Sequence, residues 1–243
     1  MRPIVYVIGW KSQENVDAFA ASVPTGTQVV LVSNGPVPLT PPDGWDHICG
    51  HGPRFFTSGF NRCLLHFMAT VWPRDQEAYP FICNDDILLE PETLPALSKA
   101  MEEGIGLAAP VQCAMGQRDL IICAGTERAW PLGIHNDGHR MALPEGFQPA
   151  RWVSFAAVAV LPQVIQECGL LDRNMRHWFS DSDYSLRARD AGYRVGYVPE
   201  AIVAHTCHAA TEGESEVQMA QLIRLDQACF NRKWGGQVER EMS

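Results

Sequence analysis

HWFSDSDYSLRARDAGYRVGYVPEAIVAH, residues 177–205, is the stretch whose reading decides the fold. Residues 183–191 read as a helix that Gly192 stops, because glycine tolerates the left-handed turn that ends a helix. Residues 193–198 alternate like a strand, and 201–204 form a second short apolar strand that delivers His205 at its end. Ahead of the helix stands Ser180-Asp181-Ser182-Asp183, and Arg187 and Arg189 follow on it. Ser180 or Ser182 can cap the helix, and the helix dipole favours an ionised carboxylate near its start. An Asp held there stays a base at neutral pH and can take a proton from a hydroxyl. Taken alone, the cluster reads first as an ordinary helix start with capping acids.

Upstream, residues 79–83 form an apolar strand that runs straight into Asn84-Asp85-Asp86. In open α/β sheets ligands bind outside the carboxyl ends of the strands. Two adjacent carboxylates there repel each other unless a positive charge intervenes. A hard divalent cation bridging to a diphosphate meets that need. The competing reading is a turn that opens the helix expected over 91–101. His205 and His208 are suited to divalent metals, but no fourth ligand stands at the spacing of a structural zinc site.

Strands at 4–8, 28–32, 79–83 and 105–109 alternate with helices at 15–21, 61–70 and 91–101. This predicts an α/β fold with a mostly parallel central sheet flanked by helices. A Pro-rich loop fills the gap to about residue 46. Residues 110–150 read as loops around one or two strands, 152–161 is strongly apolar, and 162–167 begins a helix that Cys168-Gly169 stops. The tail from 212 is polar and helical until Gly235-Gly236. No repeat or linker divides the chain.

With 243 residues, 46% hydrophobic and 19% charged, the chain can build one sizeable core. No apolar run reaches the roughly 18 residues of a membrane span. The net charge of −9 disfavours nucleic acid as a partner. The eight cysteines show no CxxC pair and sit mostly in apolar segments, which fits a reduced, cytoplasmic protein.

Together these segments resemble the family 2 glycosyltransferases of the GT-A (Rossmann-like) fold, in particular the bacterial rhamnosyltransferase-like branch. The family pattern is an aromatic, Glu-Asp, any residue, Asp, then Leu-x-Leu-Arg-Ala-Arg, Ala-Gly-Tyr, Tyr-Val-Pro and a histidine. Here it reads from His177-Trp178-Phe179 through Leu186-Arg187-Ala188-Arg189, Ala191-Gly192-Tyr193 and Tyr197-Val198-Pro199 to His205. Phe81–Asp86 with Glu90-Pro91-Glu92-Thr93-Leu94 resembles the DXD-type strand end and its helix. Trp152-Val153-Ser154 and Gly169-Leu170-Leu171-Asp172 resemble the acceptor side. The resemblance covers about residues 1–210, and 211–243 is expected to be a helical extension packed on the same domain.

The resemblance implies a metal-dependent, inverting transfer from a nucleotide-diphosphate sugar to an acceptor hydroxyl, of the hexosyl or deoxyhexosyl class. Asp86 and His205 would bind Mn2+ or Mg2+, and Asp85 would lie against the ribose or the metal. Asp181 takes the place of the catalytic base, and Asp183 and Arg187 would support its helix and the diphosphate region. Gly9, Trp10 and the Ser33-Asn34 strand end occupy the nucleotide-base pocket, and Arg54 lies near the diphosphate-contacting position. A glycan, a lipid-linked or a small-molecule acceptor is implied. The chain departs from the pattern at Gly9-Trp10-Lys11, where the family has Pro and Tyr-Asn. It departs again at Ser33, a common acid position, at Ser180 in place of Glu, and at Phe155 in place of Gly, which would narrow the acceptor pocket. Two other classes compete. One is a nucleotidyltransferase of the nucleotide-sugar pyrophosphorylase kind, for which Gly9-Trp10-Lys11-Ser12 is a poor phosphate loop. The other is a non-catalytic nucleotide-sugar-binding module.

Overall fold

The computed structural model describes residues 1–49, 55–125, 143–206 and 215–242. Arg54 and His208 lie outside the described residues. The chain opens with β1 (Arg2–Gly9), α1 (Gln13–Ser22), β2 (Gln28–Ser33) and β3 (Asp46–Cys49). The Val/Ile-rich strands β1 and β2 are buried on both faces, as central parallel strands must be. The short edge strand β3 begins where the expected loop ends and was not anticipated, because its Asp46-His47 start is polar and exposed.

Next come α2 (Phe56–His66), a π-helical turn (Phe67–Val71), β4 (Ala78–Asn84), β5 (Ile87–Leu89) and α3 (Thr93–Glu102). Helix α2 starts five residues before the expected 61, where the Phe55 N–H donates to Ser58 Oγ at 3.1 Å. The chain then forms β6 (Leu107–Ala114), β7 (Gln117–Cys123), β8 (Gln148–Pro149) and β9 (Ala157–Val160). It closes with α4 (Pro162–Cys168), α5 (Ser180–Asp190), β10 (Val195–His205) and α6 (Glu216–Met242).

The sheet order is β3-β2-β1-β4-β9-β6-β10-β5, with β7 paired to β6 and β8 to β10. Strands β3, β2, β1, β4, β6 and β10 run one way, while β9 and β5 run against them. The sheet is therefore mixed, as expected of a mostly parallel α/β fold carrying antiparallel insertions. Residues 193–204 do not form two strands. β10 is one strand whose register against β6 shifts between Val198 and Ile202, so residues 199–201 bulge rather than break it.

Helix α6 runs through Gly235-Gly236 instead of ending there. Each glycine costs about 1 kcal/mol in a helix interior, and anchors just before the pair offset it. The Trp234 indole N–H donates to Asp183 Oδ1 at 2.9 Å, and Lys233 Nζ pairs with Asp172 and Asp183. Met175, Phe179 and Leu186 bury against Cys229, Phe230 and Trp234 in a core separate from that of the sheet. No described helix is long and apolar enough to cross a membrane.

Candidate active site

At the carboxyl edge of the parallel strands lies a cavity of about 430 Å³. Ile8 of β1, Asn34 after β2, and Asn84, Asp85 and Asp86 at the end of β4 form one wall. This is where an α/β sheet offers a ligand site. Ser154, Phe155 and Ala156, just before β9, form another. That explains why only the last part of the apolar stretch 152–161 is strand. Phe155 stacks on Phe60 with ring centroids 4.9 Å apart and meets Tyr184 edge-on at 5.9 Å, so its ring is fixed where it faces the cavity.

The Asp85 carboxylate is buried and accepts the Trp10 N–H at 2.9 Å. Burial raises its pKa to about 7, with the Asp86 charge adding to the shift against the Trp10 bond. The Trp10 backbone is held in turn by Gly35: a Cβ built there would sit 1.4 Å from the Trp10 carbonyl oxygen. Gly35→Ala is expected to displace this loop and destabilise the fold by about 1–3 kcal/mol. Urea unfolding measures the loss, and an unchanged midpoint would show that the loop yields freely.

Gly9 does not line the cavity. A Cβ on it would come within 2.4 Å of Leu39 Cδ1, so its role is to let Leu39 cover the strand end. Asn34 does line it. Its Nδ2 donates to the Phe55 carbonyl at 3.0 Å and its Oδ1 accepts from Arg62 at 2.6 Å, which fixes the amide.

Asp86 and His205 meet because β5 pairs with the end of β10. Ile87 stands opposite His205, and the Thr206 N–H donates to the Asp86 carbonyl at 3.1 Å. His205 Nδ1 lies 2.9 Å from Gln112 Oε1 on β6. In the tautomer with the ring proton on Nδ1, Gln112 Oε1 accepts it and the Nε2 lone pair faces Asp86. Nε2 and Asp86 Oδ1 are 3.3 Å apart, and Oδ1 is a buried atom with no hydrogen-bond partner among the described residues. Two electron-rich atoms about 3 Å apart match adjacent corners around a cation with bonds of about 2.1 Å. The pair therefore fits a divalent metal that draws its other ligands from substrate and water. No group of three metal-ligating side chains occurs among the described residues.

Asp181 enters the cavity from the first turn of α5. Contrary to the sequence expectation, neither serine caps this helix. The cap position is Phe179, which adopts φ 64° without a side-chain capping bond. A left-handed conformation in a bulky residue stores strain of about 1–3 kcal/mol and persists only where packing enforces it. Here Phe230 of α6 packs on the Phe179 ring at 5.7 Å. Asp181 Oδ1 accepts the Ser182 N–H at 2.8 Å. Burial raises the carboxyl pKa to about 6, with backbone hydrogen bonds opposing it.

Arg187 braces its helix, as the resemblance implies, but does not reach the cavity where a donor diphosphate was expected. Its Nε donates to Asp183 Oδ2 at 2.9 Å, and its two Nη atoms donate to the carbonyls of Cys168 and Leu170 at 2.5 and 3.0 Å. It is absent from the cavity wall. Sequence reasoning missed the contribution of α6. Gln218, Met219 and Leu222 close one side of the cavity beside His177 and Trp178. Asp226, fully buried, accepts the N–H groups of His177 and Trp178 at 2.8 and 2.9 Å. An acidic residue in a helical tail carried no pattern that could have marked it; the aromatic run 177–179 could have marked a cavity wall. Gln112 was equally silent, since it is one polar residue in an apolar strand.

No family model and no curated protein sequence matches the chain. Solved structures do. The crystal structure of GalNAc-T7 with UDP, GalNAc and Mn2+ superposes with a TM-score of 0.60 at 10% identity, over 84% of this chain and 44% of that one. The fold is GT-A-like. The GT-A-like chain spans less than half the length of GalNAc-T7. A197 from STIV matches with a TM-score of 0.50 at 8% identity, over 84% of this chain and 85% of that one. At such identities the likeness is one of fold. The strand-end acids and the helix bearing Asp181 owe their positions to that fold.

Proposed function

We propose that the chain is a metal-dependent, inverting glycosyltransferase that moves a sugar from a nucleotide-sugar donor to an acceptor hydroxyl. The observation that carries this reading is a single cavity walled by both Asp86, which faces His205 as a cation pair, and Asp181. The likeness in fold to an enzyme solved with UDP and Mn2+ supports it. The order of motifs over 177–205 favours family 2 and its rhamnosyltransferase-like branch. The net charge of −9 favours a glycan, lipid-linked or small-molecule acceptor over nucleic acid. The described cysteines are free thiols, which supports a reducing, cytoplasmic setting.

When bound, Mn2+ or Mg2+ supplies positive charge that stabilises the diphosphate leaving group. Asp86 and His205 would hold it, and Gln112 orients the His205 ring. Trp10 and Asn34 shape the nucleotide end of the cavity, and the Trp10 N–H steadies Asp85. Asp181, with a pKa of about 6, is largely ionised at neutral pH. It accepts the proton of the acceptor hydroxyl as that oxygen attacks the anomeric carbon. Direct attack without a covalent enzyme intermediate inverts that carbon.

A thermal-shift screen of nucleotide-sugars with and without Mn2+ identifies the donor. With that donor, Asp86→Ala is expected to lower the Mn2+-dependent affinity by roughly two orders of magnitude. Calorimetric binding that is unchanged in the variant would remove Asp86 from the metal site. Slow hydrolysis of the donor without acceptor separates an enzyme from a binding module.

A further inference from the structure

A second cleft, of about 500 Å³, opens at the start of α2 and is lined by Arg62, Arg173 and Arg176 among its residues. Thr57, Ser58 and Asn61 add polar groups, Phe55 and Leu65 add apolar ones, and no carboxylate among the described residues lines it. Three guanidinium groups thus gather in one place on a chain whose net charge is −9. Like charges brought together repel unless an anion lies between them. Among the described residues no carboxylate pairs with Arg173 or Arg176. Asp172, next in sequence, is already engaged by Lys233 and by Asn174.

The cleft abuts the first cavity. Phe55 lines both, and the Arg176 guanidinium sits 5.1 Å over its ring. Arg62 donates to Asn34 Oδ1, and Asn34 lines the first cavity. A guanidinium presents a planar fork that matches phosphate oxygens in pairs. A divalent metal held by Asp86 and His205 would supply the counter-charge for the donor's diphosphate, which leaves the arginines for a different anion. We propose that this cleft binds a phosphate group carried by the acceptor, an inference that rests on the glycosyltransferase reading above. The apolar flank of Phe55 and Leu65 suits a phosphate monoester attached to an apolar group.

Phenyl phosphate tests this directly by calorimetry on the full chain, with no donor and no turnover, so a failed glycosyltransferase reading would not mask the result. Saturable binding is expected, weakened by roughly tenfold for each arginine removed in Arg173→Ala and in Arg173→Ala/Arg176→Ala. Arg173→Ala alone guards against any loss of the Arg176–Phe55 stack, and both side chains are exposed, so folding by circular dichroism should be unchanged. Absent binding, or equal binding by the wild type and the double variant, overturns the proposal. Displacement of phenyl phosphate by UDP, GDP or dTDP with Mn2+ also overturns it, by returning the anion site to the donor. Vesicles of phosphatidylcholine with phosphatidate separate the two sources. Co-sedimentation that the double variant loses supports a lipid-borne phosphate, and phenyl phosphate binding without co-sedimentation supports a soluble one.

Discussion

Asp181→Asn is expected to slow transfer by roughly 10²–10⁴-fold while leaving donor binding and unfolding midpoint close to those of the wild type. The amide keeps the shape of the side chain, and its carbonyl oxygen can still accept the Ser182 N–H that Oδ1 accepts now. It cannot take a proton from the acceptor. The pH profile gives an independent check. Because burial raises the Asp181 pKa to about 6, the base is protonated below that value and ionised above it. The wild-type rate should therefore rise with pH through about 6 and level off near neutrality, and the residual rate of the variant should lack this limb. A variant that transfers normally, measured in a single turnover with the identified donor, would take the role of base from Asp181.

Asp183→Ala should have the largest effect on stability, about 3 kcal/mol, near the lower bound for breaking a buried charge pair. Asp183 is fully buried and accepts from Arg187 Nε, Trp234 Nε1 and Lys233 Nζ. Lys233 is about one-third exposed and can return to water, so its share is small. The buried Trp234 N–H and the Arg187 guanidinium bear most of the loss. For a chain of this length the melting temperature should fall by roughly 10 °C. Asp183→Asn, which keeps an acceptor for the indole, should lose less. Equal melting of Asp183→Ala and the wild type would show that α6 does not depend on this contact.

Much of this was legible in the sequence. The alternation of strand and helix in the first half marked the α/β sheet, because parallel strands buried on both faces must be apolar throughout and must be joined by helices. Asp85-Asp86 and Asp181 were legible because each stands where a periodic element begins or ends, and those positions fall on the sheet's carboxyl edge. What failed did so for physical reasons. Arg187 was expected to support both its helix and the diphosphate region, but charge alone cannot show whether a guanidinium meets a ligand or the carbonyls of Cys168 and Leu170. The joining of His205 to Asp86 came from the family resemblance alone, because the antiparallel β5–β10 contact behind it links residues far apart in sequence through a strand too short to show a period. The α6 wall was hidden likewise, since one acid and three lining residues in a polar tail look like any solvated helix.

The bond from Asp226 to the His177 and Trp178 amides has a consequence for how the molecule is made. Synthesis runs from the N-terminus, so the segment leading into Asp181 emerges from the ribosome well before residue 226. Until then the two amides lack their acceptor, and the left-handed Phe179 lacks the Phe230 ring that packs on it. The sheet can form first, as its strands are complete by His205. The segment leading into Asp181 is therefore fixed after the sheet, and a nascent chain released before residue 226 would hold the sheet without the contacts that set this wall of the cavity.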